Sequence, residues 1–247
     1  MKASRLEFEL QAVAPGSRAR AARFQTLHNE VLTPLFMPVG TQATVKAQMP
    51  SALLESGSQI LLANTYHLLL RPGAEVFERF DGIHRFMNWP RSVLTDSGGY
   101  QIFSLPHSRQ ITEAGAVFQS YVDGKRILLS PETSIGMQRK IGSDIMMVLD
   151  QCIASTAERA QAQAALDVTF RWAKRSLEAR GDSSQALFGI IQGALFPELR
   201  AQSAEQLLSL ELDGYAIGGL AVGEGERERE DTCELTTAPM PTDRPRY

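Results

Sequence analysis

Val93-Leu94-Thr95-Asp96-Ser97-Gly98-Gly99-Tyr100-Gln101 is the stretch on which the reading of the chain turns. Residues 92–95 are short, branched and apolar, as in a buried strand, and Trp89-Pro90 closes off what precedes them. The strand breaks at Asp96, where a carboxylate is followed by a hydroxyl and two glycines. Asp96 is thereby left at a strand edge, and the glycines permit positive φ and a close backbone approach to a bound group. Taken alone, the stretch reads equally well as a tight turn capped by an aspartate.

The pattern recurs on both sides. Apolar runs at 35–39, 60–63, 145–149, 187–191 and 215–217 end in Gly40-Thr41, Asn64-Thr65-Tyr66-His67, Asp150-Gln151-Cys152, Gln192-Gly193 and Gly218-Gly219-Leu220. Helical segments at 50–56, 72–80, from Ser130 onward, 155–179 and 197–210 separate them. Alternating strands and helices with continuously apolar strands indicate a parallel sheet covered by helices. Polar residues after the strand ends suit either a (β/α) barrel or an open doubly wound sheet. No Gly-x-Gly-x-x-Gly follows the first strand, so the barrel is favoured. Residues 1–247 are thus expected to form a single α/β domain of the (β/α)8 TIM-barrel type with its first six β/α units. Residues 5–13 and 19–26 flank Pro15-Gly16 as an N-terminal antiparallel hairpin, with Arg18, Arg20 and Arg23 on a solvated edge. Asp123-Gly124 centres a hairpin insertion at 117–129. The last residues, Asp243 to Tyr247, read as the approach to a seventh strand.

Composition narrows the function classes. The 247 residues are 43% apolar, enough for a substantial core. A net charge of −3 argues against a polybasic tail. Cys152 and Cys233 form no Cys-x-x-Cys pair, and His28, His67, His84 and His107 are scattered, so local spacing assembles no metal site. No apolar run is long enough to span a bilayer, and the start lacks a signal-peptide pattern. A cytoplasmic protein is the default expectation.

Strand-end residues alone give Asp96, Asp150, Gln192 and the Gly218-Gly219 backbone, which a barrel would bring to one pocket. Asp144, at the opposite end of its strand, is expected to be structural. Carboxylates accepting paired hydrogen bonds, with an amide and a backbone N–H as donors, match a guanine-like edge. Tyr100 offers a ring for stacking, although a core aromatic reads as well. Two carboxylates also suit glycosidic-bond chemistry.

Asn64-Thr65-Tyr66-His67-Leu68, residues 94–101, Phe188-Gly189-Ile190-Ile191-Gln192-Gly193 and residues 214–224 resemble, in order and spacing, the tRNA-guanine transglycosylase family, which includes bacterial queuine tRNA-ribosyltransferases. The resemblance runs over essentially the whole chain. It implies a zinc-containing (β/α)8 barrel that replaces guanine at the tRNA wobble position with a 7-deazaguanine leading to queuosine. It implies Asp96 as general acid/base and base contact, Ser97, Gly98, Gly99 and Tyr100 as pocket lining, and Asp150 on the N–H edge of the base. Gln192 and the Gly219 N–H would meet its carbonyl oxygen, and Leu220 would offer backbone to an aminomethyl group. The reaction implied is covalent, on a flipped-out nucleotide. In the family a nucleophilic aspartate and the Cys-x-Cys-x-x-Cys and His ligands of zinc lie past the position of Tyr247. The expectation is therefore a C-terminally shortened chain with no metal ligands of its own, impaired activity and an incomplete version of the family's dimer interface. A non-catalytic base-binding or accessory subunit, and a purine-directed hydrolase, stand as alternatives. The charged run 224–234 reads as a solvated face.

Overall fold

The computed structural model describes residues 5–104 and 109–247. Its N-terminal part is a three-stranded antiparallel sheet, β1 (Glu7–Val13), β2 (Arg20–Gln25) and β3 (Glu30–Thr33), in that order. The expected hairpin is present, with β3 as an addition. Arg18 and Arg23 are exposed, as expected of a solvated edge, and Arg20 is half-buried, which corrects that expectation for it. Arg20 donates to the carbonyls of Thr242 and Arg244 at 2.6 Å each, and Arg18 donates to the carbonyl of Glu234. A sheet at the start of the chain is thereby fastened to its last residues. Phe24 and Val31 join Leu6 in the main core, packed with Ile60, Leu94 and Ile145.

After α1 (Pro50–Glu55) the chain enters the parallel sheet with β4 (Ile60–Ala63), then runs through α2 (Thr65–Leu70), α3 (Ala74–Phe80) and α4 (Ile83–Met87) to β5 (Ser92–Thr95) and α5 (Gly99–Ser104). Strands β6 (Arg109–Thr112), β7 (Gly115–Gln119) and β8 (Arg126–Leu129) form a second antiparallel sheet. The Asp123-Gly124 hairpin is therefore real but is two strands of three. Helix α6 (Pro131–Ile141), β9 (Ile145–Met147), α7 (Arg159–Arg180), β10 (Ala186–Ile191), α8 (Pro197–Leu208), β11 (Gly214–Ile217) and α9 (Glu226–Thr237) complete the order. Ser130 caps α6 by accepting the Thr133 N–H, with Pro131 at the first turn, as its sequence indicated.

The parallel sheet has the order β11-β10-β9-β5-β4. Every residue of β4, β5, β9 and β10 is buried, which is why these strands read as unbroken apolar runs. Residues 35–39 were expected as a sixth strand, and the structure corrects this. Only an isolated parallel bridge joins Val39 to Leu62, and Phe36 is 79% exposed. Pro34 and Pro38 lack the N–H groups a ladder needs. At the other edge Tyr247 donates to and accepts from β11, at Tyr215 O and Ile217 N, so the final residues do begin a further pairing.

The two ends of the sheet are electrostatically distinct. At the strand starts, Asp144 accepts the Val93 N–H at 2.8 Å and Asp213 accepts the Leu187 N–H at 2.9 Å, each tying its own strand to a neighbour. Both have basic partners. Arg180 meets Asp213 at 2.7 Å, and His28 and His84 meet Asp144 at 2.8 and 3.1 Å. Those histidines and the buried Val93 N–H hold the Asp144 carboxyl well below its ordinary range despite its burial. Asp144 is therefore structural, as expected. The strand ends, where the site lies, behave in the opposite way.

Candidate functional site

Asp96 follows β5 and is gripped by donors. Asn64 Nδ2 and Gln101 Nε2 reach Oδ2, the latter at 2.9 Å, and the Thr65 N–H reaches Oδ1 at 2.8 Å. Among the described residues no cation is one of its partners. Burial dominates and pushes its pKa up to about 6, against the opposing pull of Asn64, Thr65, Gln101 and the Gly98 amide. A carboxyl poised near neutrality between amide donors can hold or release a proton. Gln101 Oε1 is buried without a partner, so reversing that amide would supply an acceptor for a proton on Asp96.

The raised pKa has a consequence for stability. The folded state disfavours the ionised carboxyl, so Asp96 destabilises the protein progressively as pH rises from the unfolded value near ~4 to about 6 and constantly above that. Asp96→Asn should melt higher than the unaltered chain at pH 8, with the difference shrinking toward zero by about pH 4. Melting curves across that range check this, and a gap that widens in acid would contradict the assigned burial.

Asp150 follows β9 and lies between two strand ends. Ser97 Oγ donates to its Oδ1 at 3.1 Å, and Gln192 Nε2 donates to its Oδ2 at 2.6 Å. Burial raises its pKa, with Gln192 and then Ser97 acting against it. Gln192 Oε1 is itself buried and unpartnered, facing Gly219 at φ +63°. Asp150, Ser97 and Gln192 are therefore in direct contact, with Gly219 against Gln192. A cavity of about 580 Å³ opens beside Asp150, lined by Gly99, Phe103, Cys152, Ile153 and Trp172 among others. Asp96, Gln192, Gly219 and Leu220 do not line it. Tyr100 is half exposed, with its ring 6.4 Å from Phe103, and so is no core aromatic.

Gly99 shows how closely this site is built. A Cβ there would stand 2.5 Å from Asp150 O and 2.6 Å from Asp150 Oδ1. Gly99→Ala should cost about 1–3 kcal/mol through overpacking while pushing Asp150 off Ser97. A denaturant midpoint equal to that of the unaltered chain would show that the loop yields instead.

Several residues here were not singled out as a sequence reading. Asn64 and Thr65, visible in the sequence as a polar strand end and part of a motif but assigned no role there, grip Asp96. Glu224 is another correction. It was taken as part of a solvated charged run, yet its carboxylate accepts the N–H groups of Ala221 and Val222, shaping the loop after Leu220. Most of α9 is solvent-facing as expected, with Thr232 and Thr236 buried. Arg200 had no sequence signal at all.

A second cluster needs its own test. His28, His84 and Asp144 bring ligand atoms within 4.8 Å of one another, although they are distant in sequence. The two imidazoles are stacked, with centroids 3.5 Å apart and planes 14° from parallel. Ring lone pairs lie in the ring plane, so two stacked rings cannot both point at one ion ~2 Å away. The cluster is a hydrogen-bonded clamp. The chain's two cysteines, Cys152 and Cys233, cannot supply the three-sulfur set of the implied zinc site, and neither is in a disulfide. The described residues therefore do not fit that metal.

This is an α/β protein whose parallel sheet carries, past its strand ends, the buried Asp150 and the part-buried Asp96, both beside amide donors and, among the described residues, without a cation partner. Residues 16–247 match the family model described as queuine tRNA-ribosyltransferase. The chain is 50% identical over 245 residues to the queuine tRNA-ribosyltransferase of Desulfosudis oleivorans, covering 98% of this chain and 64% of that protein. It is 51% identical over 238 residues to that of Solidesulfovibrio magneticus, covering 95% and 64%, and 49% identical to that of Thioalkalivibrio sulfidiphilus, covering 98% and 65%. It thus spans about 64% of the length of the first two relatives. The chain belongs to the queuine tRNA-ribosyltransferase family, a family of pentosyltransferases.

Proposed function

We propose that this chain recognises the base in a tRNA-guanine transglycosylase reaction, the exchange of guanine at the tRNA wobble position for a 7-deazaguanine. The observation that carries the reading is the Asp150–Gln192 pair, a buried carboxylate and a buried amide held 2.6 Å apart at two adjacent strand ends. Asp150 accepts the N1–H and exocyclic amine of the base. The second N–H of Gln192 and the Gly219 N–H donate to its carbonyl oxygen. Ser97, Gly98 and Gly99 form the wall that lets the base approach, Tyr100 stacks on its face, and the Leu220 backbone faces the 7-substituent. Asp96 protonates the departing base and takes the proton from the incoming one, a task suited to a carboxyl titrating near 6.

Asp150 is not the group that attacks the ribose, because Ser97 and Gln192 fix it on the base edge. No step is routed through zinc, which the described residues do not fit. The fold reading extends in the same way: residues 1–247 form one domain that supplies the first units of a (β/α)8-type barrel, with the parallel sheet as part of its wall. Its two edges support this, each carrying one further parallel bridge, at Val39–Leu62 and Tyr215–Arg246.

Two measurements test the function. Calorimetry with guanine should show one site per chain, and adenine, which lacks the donor edge, should not compete. Incubation with labelled guanine and unmodified tRNA reads exchange itself. Turnover by this chain at the rate of a longer relative would assign the ribosyl nucleophile to one of its own carboxylates. Absence of guanine binding would end the base-recognition reading.

A further inference from the structure

We propose that Arg200 is a positioning residue of this pocket: from inside α8 it locks the loops after β10 and β11 together, fixing the Gly219 amide relative to Gln192 and Asp150. The inference rests on the base-recognition reading for its functional consequence, though not for the clamp itself. Arg200 is 1% exposed. Its Nε donates to Ala194 O at 2.8 Å, its Nη1 to Ile191 O at 3.0 Å and Gly218 O at 2.7 Å, and its Nη2 to Gly219 O at 3.3 Å. Two of these carbonyls, Ile191 at the end of β10 and Ala194 in the loop after it, lie on either side of Gln192, and two belong to the glycine pair after β11.

Among the described residues none of these hydrogen bonds goes to a carboxylate, and burial lowers the Arg200 pKa to about 10. A buried cation satisfied only by carbonyls is costly, and α8 could pack on the sheet with an apolar residue instead. What an apolar residue could not do is hold four diverging acceptors in one plane, which is the geometry of a guanidinium fork. Ser203, three residues further along α8, accepts the Gln192 N–H at 3.0 Å, so the same helix face also fixes the backbone of the base-contacting amide. Gly193 lets the loop lie directly on that face, since a Cβ there would stand 2.7 Å from the Arg200 backbone nitrogen.

Hydrogen exchange and guanine calorimetry on Arg200→Met and Arg200→Lys test this. Both variants should keep their far-ultraviolet spectrum. In Arg200→Met, amides of 192–194 and 218–221 should exchange at least tenfold faster while those of α7 are unchanged, and the guanine Kd should rise at least tenfold. Arg200→Lys should restore part of the protection and leave the Kd raised severalfold, because an ammonium cannot span both loops. If Arg200→Met does not fold, Arg200→Lys carries the comparison. A guanine Kd within twofold of the unaltered chain, or faster exchange spread evenly over β9, β10 and β11, would overturn the proposal in favour of simple packing. If the unaltered chain binds no guanine, the base-recognition reading fails, and the exchange pattern alone decides the clamp: loosening confined to the two loops upholds it and uniform loosening rejects it.

Discussion

Asp150→Asn is expected to lower guanine affinity at least a hundredfold without lowering thermal stability. The side chain keeps its shape, but one of its two acceptors becomes an N–H₂. That group must face either the Gln192 Nε2 donor, 2.6 Å away in the unaltered chain, or the Ser97 hydroxyl, or the donor edge of the base. Hydrogen bonds to a charged acceptor contribute about 1.5–3 kcal/mol each, and two donors brought face to face add a further penalty. A loss of at least about 3 kcal/mol, or a factor of more than 10², follows. Stability should move the other way. Burial raises the Asp150 pKa, and among the described residues no cation offsets its charge, so neutralising it relieves a cost of folding. Calorimetry and melting curves on one preparation read both quantities. Binding within threefold of the unaltered chain would remove Asp150 from the base edge, and joint loss of binding and stability would make its role structural.

Asp144→Ala should show the reverse pattern, a large stability loss with no direct contact to the site. It strips the Val93 N–H, His28 and His84 of their shared acceptor beneath a fully buried strand. Breaking a buried charged pair costs about 3–5 kcal/mol, which for a chain of this size lowers Tm by roughly 10 °C. The pH dependence separates this from simple cavity formation. The depressed Asp144 pKa contributes stability above the unfolded aspartate value near ~4 and loses it as acid approaches the folded value. The raised His28 pKa contributes stability fully below the unfolded histidine value near ~6.5 and loses it as pH climbs through the folded value. The difference between the two proteins should therefore be greatest between about pH 4 and 6.5 and narrow on both sides. A difference flat with pH would mean that the cluster acts by packing alone.

These two aspartates bound what the sequence could disclose. Both sit beside β9, six residues apart, and strand direction alone separates a structural carboxylate at the start from one in the candidate site at the end. That logic placed Asp96, Asp150, Gln192 and Gly219 at the strand ends, because burial on both faces leaves an unbroken apolar run whose limits are visible. It did not reach the partners. His28 and Asp144 lie 116 residues apart, and Arg200 is a single basic residue on an otherwise ordinary helix face. Neither periodicity nor motif spacing encodes such meetings; they arise only when the chain closes. The false strand at 35–39 failed for a different reason, because apolar character was read without counting the donors its prolines lack. Glu224 was misread because a charge run averages over its members, and one of them turns back to hold two amides.

The fastening of Arg18 and Arg20 to the far end of the chain bears on synthesis. The N-terminal sheet can pair β1, β2 and β3 as soon as they leave the ribosome. Its acceptors on Thr242 and Arg244 lie 222 and 224 residues downstream. At roughly 5–20 residues per second, those arginine hydrogen bonds follow the sheet by on the order of 10–45 s, although its apolar face meets Ile60 and Leu94 earlier. In a fold whose longest-range contacts close last, this early interval is the one in which a chaperone would be expected to engage the chain.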